Sequence, residues 1–371
     1  MIKSLLKWLG LVGMASVPLA LVAALLVCHK PALAPDDGGV PALPSHLHTG
    51  WIADPDAVEQ VAAALPERYF RFTPACDVAA EDVPKDVFLW ETQRKATGDL
   101  LPPRNQNPVG SCVGFGNTSA VETLLCVQVS LGTAEEFKPL CPEITYAGSR
   151  IQIGKGRIGR GDGSVGAWAA RFLKDYGVVP RGRYPGYDLT EYNPTLCRQL
   201  GNLGCPDVLV PIAREHPVKG IAQIRTAAEA QKALASGYPI AVCSNQGFSA
   251  DRDANGFAKA QGNWAHCMAV LGYQTSGARK GFYILNSWGT SYHKGPVGAG
   301  NPSPAGFWAD WNVVDRMFAA GDSWAFSDVK GFPARRIDWF AQPAPVGRPA
   351  TRLPAPRPGR ADREPHFALA P

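Results

Sequence analysis

The stretch Gln106–Phe115, QNPVGSCVGF, places a cysteine directly after a Gly-Ser turn and at the head of CVGFGNTSAVETLLCVQV, a segment that reads as a helix. A thiol in that position faces unpaired backbone N–H groups and the positive end of the helix dipole, and both favour the thiolate. Cys112 is therefore a candidate nucleophile.

Working outward, two further segments carry chemistry. Asn263–Tyr273, NWAHCMAVLGY, sets a histidine at the head of an apolar strand, and Tyr283–Thr290, YILNSWGT, ends a strand in an Asn followed by a Trp. The body around them reads as helix-rich first and strand-rich later. DPDAVEQVAAAL (54–65) is a helix capped by Asp54 with Pro55 in its first turn, and SVGAWAARFLKDYG (164–177) is an amphipathic helix closed by Gly177. Short apolar runs bounded by Gly, Pro and Asn, namely VLVPIA, YPIAVCS, HCMAVLGY and GFYILNSW, read as strands. An α+β protein of two lobes with a cleft between them is expected.

Taken in order, the three segments resemble the papain-like cysteine peptidases: Q-x5-C, then H-x5-G-Y, then N-S-W-G-T, with Gln106, Cys112, His266, Asn286 and Trp288 on the matching positions. The similarity runs from about Val83, where Val83-Pro84 resembles the start of the mature enzyme, to about Phe326. GFWADWNVVDRMFAAGDSWAF (306–326) resembles the last strands of bacterial and phage members. Two departures stand out near the nucleophile: Val109 replaces the usual cysteine three residues before it, and Val113 replaces the usual bulky aromatic after it. His266 lies 154 and Asn286 174 residues beyond Cys112, against a usual separation of about 130–150. Extra loops are implied, for instance SNQGFSADRDANGFAKAQGN (244–263). No inhibitory propeptide is recognisable in residues 31–83.

The resemblance implies a papain-like two-lobed α+β fold and a peptidase that works through a Cys112 thioester, as an endopeptidase needing no metal and no cofactor. His266 would be the acid/base, Asn286 the group that orients its ring, Gln106 an oxyanion-hole donor and Trp288 a shield over the His–Asn bond. Asp162-Gly163-Ser164 resembles the stretch that pairs with substrate backbone near the specificity pocket. The alternatives are a non-catalytic binding domain that keeps this fold, and an acyltransferase or amidase that uses the same thioester.

Of nine cysteines, Cys28 lies in the N-terminal apolar stretch and the others show no paired CxxC spacing, so a zinc site has little support. Cys197 and Cys205 read equally as a short disulfide or as buried thiols. The chain has 371 residues and a net charge of +5, but residues 1–30 and 341–371 each carry +3, which leaves −1 for the body. That excludes a basic nucleic-acid footprint.

The ends differ from the body. Leu9–Cys28 is uncharged and long enough for a membrane-spanning helix, with Lys3 and Lys7 before it and Asp36 and Asp37 after it. This predicts an N-terminal anchor or signal segment over 1–30 with the rest exported, periplasmic or extracellular. Pro35 after Ala32-Leu33-Ala34 and the bulky Val27 before Cys28 favour an uncleaved anchor over a secreted or lipid-linked form. Residues 31–82 read as a short extension, 83–330 as the peptidase domain, and 331–371 as a Pro/Arg-rich tail open to an unknown partner; eight prolines fall in 341–371.

Overall fold

Asp54 accepts the Ala57 N–H at 2.9 Å and Pro55 occupies the first turn, so α1 (Pro55–Ala63) starts where its cap residues place it. The computed structural model describes residues 47–337 except Pro217 and Ala299. After 3₁₀ turns come β1 (Asp86–Phe88), α2 (Trp90–Thr97), α3 (Cys112–Ser130), α4 (Pro142–Gly148) and α5 (Gly166–Asp175). A small hairpin, β2 (Arg183–Tyr184) and β3 (Tyr187–Asp188), precedes α6 (Pro194–Leu203) and α7 (Val210–Arg214). Then follow β4 (Gly220–Gln223), α8 (Ala227–Ala235), β5 (Ile240–Arg252), β6 (Ala258–Gln274), β7 (Gly281–Leu285), β8 (Gly306–Asp310), α9 (Trp311–Ala319) and β9 (Asp322–Ser327).

The large sheet runs β4-β9-β5-β6-β7-β8, and β1 adds to it along β6; the pairings are antiparallel. Helix α3 is buried on every side over its first turns and packs against β6, α2 and α4. A helix apolar all round belongs inside a fold, not on its surface. One core joins α1, α3, α5, α8 and the sheet, and a smaller one lies among α4, α6 and α7. Cys112, at the start of the buried helix, is thereby set against β6.

Three expectations change. VLVPIA is not a strand: it forms a 3₁₀ turn over Asp207–Leu209 and then α7. Pro211 has no N–H for a ladder but suits a first helical turn, and Leu209 and Ala213, four apart, share the buried side. SNQGFSADRDANGFAKAQGN is no loop either, since β5 and β6 extend through it as a bulged hairpin. Its tip is a tight turn in which Asp253 Oδ1 accepts the Asn255 and Phe257 N–H groups at 2.8 and 3.0 Å.

The stretch GFWADWNVVDRMFAAGDSWAF holds β8, α9 and β9 rather than strands alone. Cys197 and Cys205 are free thiols: Cys197 sits on the buried side of α6, and Cys205 follows the Gly204 that ends it. The apolar stretch 9–28 and the tail beyond 337 lie outside the described residues. Among the described residues no helix is long and apolar enough to cross a membrane, and no His/Cys/Asp/Glu group could hold a metal ion.

Candidate active site

β6 presents His266 and the end of β7 presents Asn286, while α3 presents Cys112; all three are buried. Cys112 heads α3, which packs against β6, the strand that carries His266. His266 Nε2 meets Asn286 Oδ1 at 2.8 Å. The same oxygen accepts the Ser287 N–H at 2.7 Å, so it is the acceptor and Nε2 carries the ring proton. Nδ1 of His266 is then the free base, and it has no hydrogen-bond partner.

Asn286 is itself held from behind. Its Nδ2 meets His293 Nε2 at 3.1 Å, and burial beside Arg252 lowers His293 to about 3, keeping that ring neutral and able to accept. The amide therefore cannot turn over without losing both bonds. Trp288 lies on His266 with ring centres 4.4 Å apart and is itself packed by Trp264 and Tyr292, which walls the His–Asn bond off from water.

Gln106 is fully buried, and its Oε1 accepts from Ser287 Oγ at 2.7 Å. Its Nε2 therefore points the other way, toward the carbonyls of Val109 and His48, both at 2.9 Å. The His48 oxygen also accepts from Trp288 Nε1 at 2.8 Å.

That contact reveals a feature the sequence did not signal: residues 47–52 run as a strap through the cleft. Gly50 and Trp51 donate to Ala265 O at 3.0 and 2.9 Å, Ile52 donates to Ser164 O at 2.9 Å, and Ser164 donates to Gly50 O at 2.8 Å. A Cβ on Gly50 would lie 2.1 Å from Gly110 O, so only glycine lets the strap come so near.

Burial sets the electrostatics of the reacting groups. Burial pushes the Cys112 thiol well above its ordinary range and lowers His266 to about 4. With the cleft covered, both groups are neutral at neutral pH, and the thiolate favoured by the helix terminus is withheld.

Asp162 and Gly163 border the turn before Cys112 and the strap. Asp162 Oδ2 accepts the Gly110 N–H at 3.0 Å and pairs with Arg198 at 3.3 Å, bracing the turn that leads to Cys112. Gly163 (φ +108°) has space for a Cβ only at 2.9 Å from Ile52 Cδ1, while the backbone that pairs with the strap is that of Ser164. Ser164 belongs to the stretch read from sequence as pairing with substrate backbone, and here it pairs with the strap; Ala265, His293 and Asp322 carry no sequence signal of their own.

Residues 88–296 match the family described as papain family cysteine protease. The chain belongs to this family. It is accordingly a cysteine peptidase with a papain-like α+β fold, acting on peptide bonds. Similar solved structures include xylellain, a cysteine protease from Xylella fastidiosa, at 16% identity, covering 78% of this chain and 100% of that one, with a TM-score of 0.49. Others are digestive procathepsin L 3 of Tenebrio molitor larval midgut, at 14%, 76%, 83% and 0.44, and the bromelain protease from Ananas comosus, at 17%, 66%, 99% and 0.43 on the same measures. No curated protein matches by sequence.

Proposed function

We propose that this papain-family chain is an endopeptidase in which Cys112 attacks the peptide carbonyl and His266 moves the proton. The observation that carries the assignment is the 2.8 Å bond from His266 Nε2 to Asn286 Oδ1, which leaves Nδ1 as the base on the ring beside the head of α3. Cys112 gives its proton to Nδ1; the sulfur adds to the carbonyl; His266 then protonates the leaving amine, and water hydrolyses the thioester with His266 as base. Gln106 Nε2 is aimed at the place where His48 O now sits, which suits a donor to the developing oxyanion. Asn286 and Trp288 act as positioning and shielding groups.

The same geometry supports a latent resting state. The strap fills the cleft with its own backbone, so the enzyme acts only after residues 47–52 lift. Since α1 follows at once and its Ala57, Val58, Val61 and Ala62 are buried in the main core, lifting need not detach the segment behind it. The lysine-flanked stretch 9–28 supports attachment to a membrane with the peptidase on the exported side, which fractionation and sequencing of the mature N-terminus test.

For the chemistry, Cys112→Ala and Cys112→Ser are compared with the parent on fluorogenic peptides long enough to be cut internally, alongside labelling by E-64. Loss of both turnover and label is expected. Unchanged turnover in either variant refutes the assignment, and turnover confined to peptide ends refutes the endopeptidase reading.

A further inference from the structure

Cys267, Cys243 and Asp322 stand at one level of three neighbouring strands: Cys267 on β6 faces Cys243 on β5, and Cys243 faces Asp322 on β9. Facing residues of antiparallel strands share a face of the sheet, and here that face looks toward α3 and α5. A Cβ on Gly116 of α3 would stand 2.9 Å from Cys267 Sγ, and one on Gly166 of α5 would stand 2.6 Å from Cys243 Sγ. Two glycines thus leave the room that the sulfurs occupy. Both residues are buried free thiols, and the peptidase chemistry uses neither.

The register sets how close the two sulfurs come. Phe326 donates to Pro239 O at 3.1 Å, so along the strand that follows, Ala241 and Cys243 turn their backbone groups to β9 while Ile240 and Val242 turn theirs to β6. Cys243 and Cys267 are therefore a non-hydrogen-bonded pair, the kind in which Cα atoms approach to about 4.5 Å and side chains stand closest. A disulfide accepts Cα separations of about 4.4–6.8 Å.

The strap holds the pair out of reach. Trp51 Nε1 and the Gly166 N–H share Asp322 Oδ2, at 2.7 and 2.8 Å, so the indole roofs the row at its Asp322 end. Burial pushes the Cys243 thiol well above its ordinary range, and a neutral thiol does not attack a disulfide. Lifting residues 47–52 takes the indole away, opens that end to water and lets the thiolate form. It also removes the Gly50 and Trp51 bonds to Ala265 O, which support β6 beside His266.

We propose that Cys243 and Cys267 are a redox-active dithiol that a small disulfide closes, once the strap has lifted, into a cross-strand bond pinning β5 to β6 one residue from His266. The Cys243 thiolate, its proton given to water, attacks one sulfur of the incoming disulfide, whose S–S bond breaks and releases a first thiolate that takes a proton back. Cys267, losing its proton in turn, attacks Cys243 Sγ and releases the second thiol. Two protein thiols are oxidised and one disulfide is reduced to two thiols.

The gating rests on the lifted-strap reading of the peptidase, and the test separates the two. The full chain carries Cys112→Ala, so that the nucleophile cannot intercept the reagent, and is compared with the same chain carrying Gly50→Ala as well. Each is exposed to 2-hydroxyethyl disulfide, quenched, denatured and alkylated with N-ethylmaleimide. Intact mass counts the thiols, and an unreduced peptide map locates the bond.

A Cys243–Cys267 link is expected, forming at least about fivefold faster with Gly50→Ala and raising the urea midpoint of that chain above its reduced form. If the Gly50→Ala chain keeps both thiols, holds the reagent on one of them without closing, or bonds either to another cysteine, the dithiol falls whatever the strap does. A link that forms at equal rates in both chains leaves the pair standing and refutes the strap as its gate, and a link that leaves the midpoint unmoved refutes the pin. Should Gly50→Ala not fold, Trp51→Ala removes the indole and takes its place, with the same expectations and the same refutations.

Discussion

A single added methyl group tests whether the strap governs the enzyme. In Gly50→Ala the new Cβ would meet Gly110 O at 2.1 Å, and Gly110 C and Cα at 2.4 and 2.8 Å. These are backbone atoms of the turn braced by Asp162, so neither side yields easily. Overpacking of this kind costs about 1–3 kcal/mol, and the cost falls on the strap-closed state alone, because a lifted strap meets nothing. At about 1.4 kcal/mol per tenfold, the open fraction rises roughly 5- to 150-fold.

Labelling of Cys112 by E-64 or iodoacetamide reports that fraction directly when closing is fast and favourable. The second-order rate should rise by the same factor, and turnover of a fluorogenic peptide with it. The unfolding free energy should fall by no more than the same amount, about 1–3 kcal/mol, because the closed state is the one that is destabilised. Equal labelling rates for parent and variant would show that the cleft is not gated by residues 47–52.

Gln106→Ala removes the donor aimed at His48 O, and kcat should fall about 10²- to 10³-fold while iodoacetamide labelling of Cys112 becomes faster, because the strap loses an anchor; a slower label refutes this. His293→Phe keeps a ring against Phe307 but leaves Asn286 Nδ2 without its acceptor. A kcat loss of about 10- to 100-fold is expected, with partial rescue in His293→Gln, and wild-type kcat in the Phe variant would rule out a positioning role. His266 and His293 titrate at about 4 and about 3 in the closed fold against 6.5 when free, so the unfolded chain binds more protons between these values. Stability must then fall as pH drops from about 6.5 toward 4. Urea midpoints measured across that range check the slope, which His293→Phe should flatten.

The sequence by itself determined the residues that are local in character. A cap and a proline start α1, the 3.6-residue stripe with Gly177 shapes α5, and a Gly-Ser turn opens α3 at Cys112; each follows from contacts within a few residues. The order of Gln106, Cys112, His266, Asn286 and Trp288 likewise marked the family before any distance was known. Composition could not tell that VLVPIA is helical, because an apolar run of that length serves helix and strand alike and the neighbouring core chose.

Tertiary structure alone decided what closes the site and what lies beneath it. The strap pairs mainly through backbone groups, which every residue possesses, and its Gly50 and Trp51 gain their meaning only against Gly110 and Asp322. Asp322 is separated from Trp51 by 271 positions and from Gly166 by 156, and only the folding of β9 beside α5 joins them. The neutral thiol and imidazole follow from burial, since a pKa depends on what surrounds a group in space and not on its neighbours along the chain.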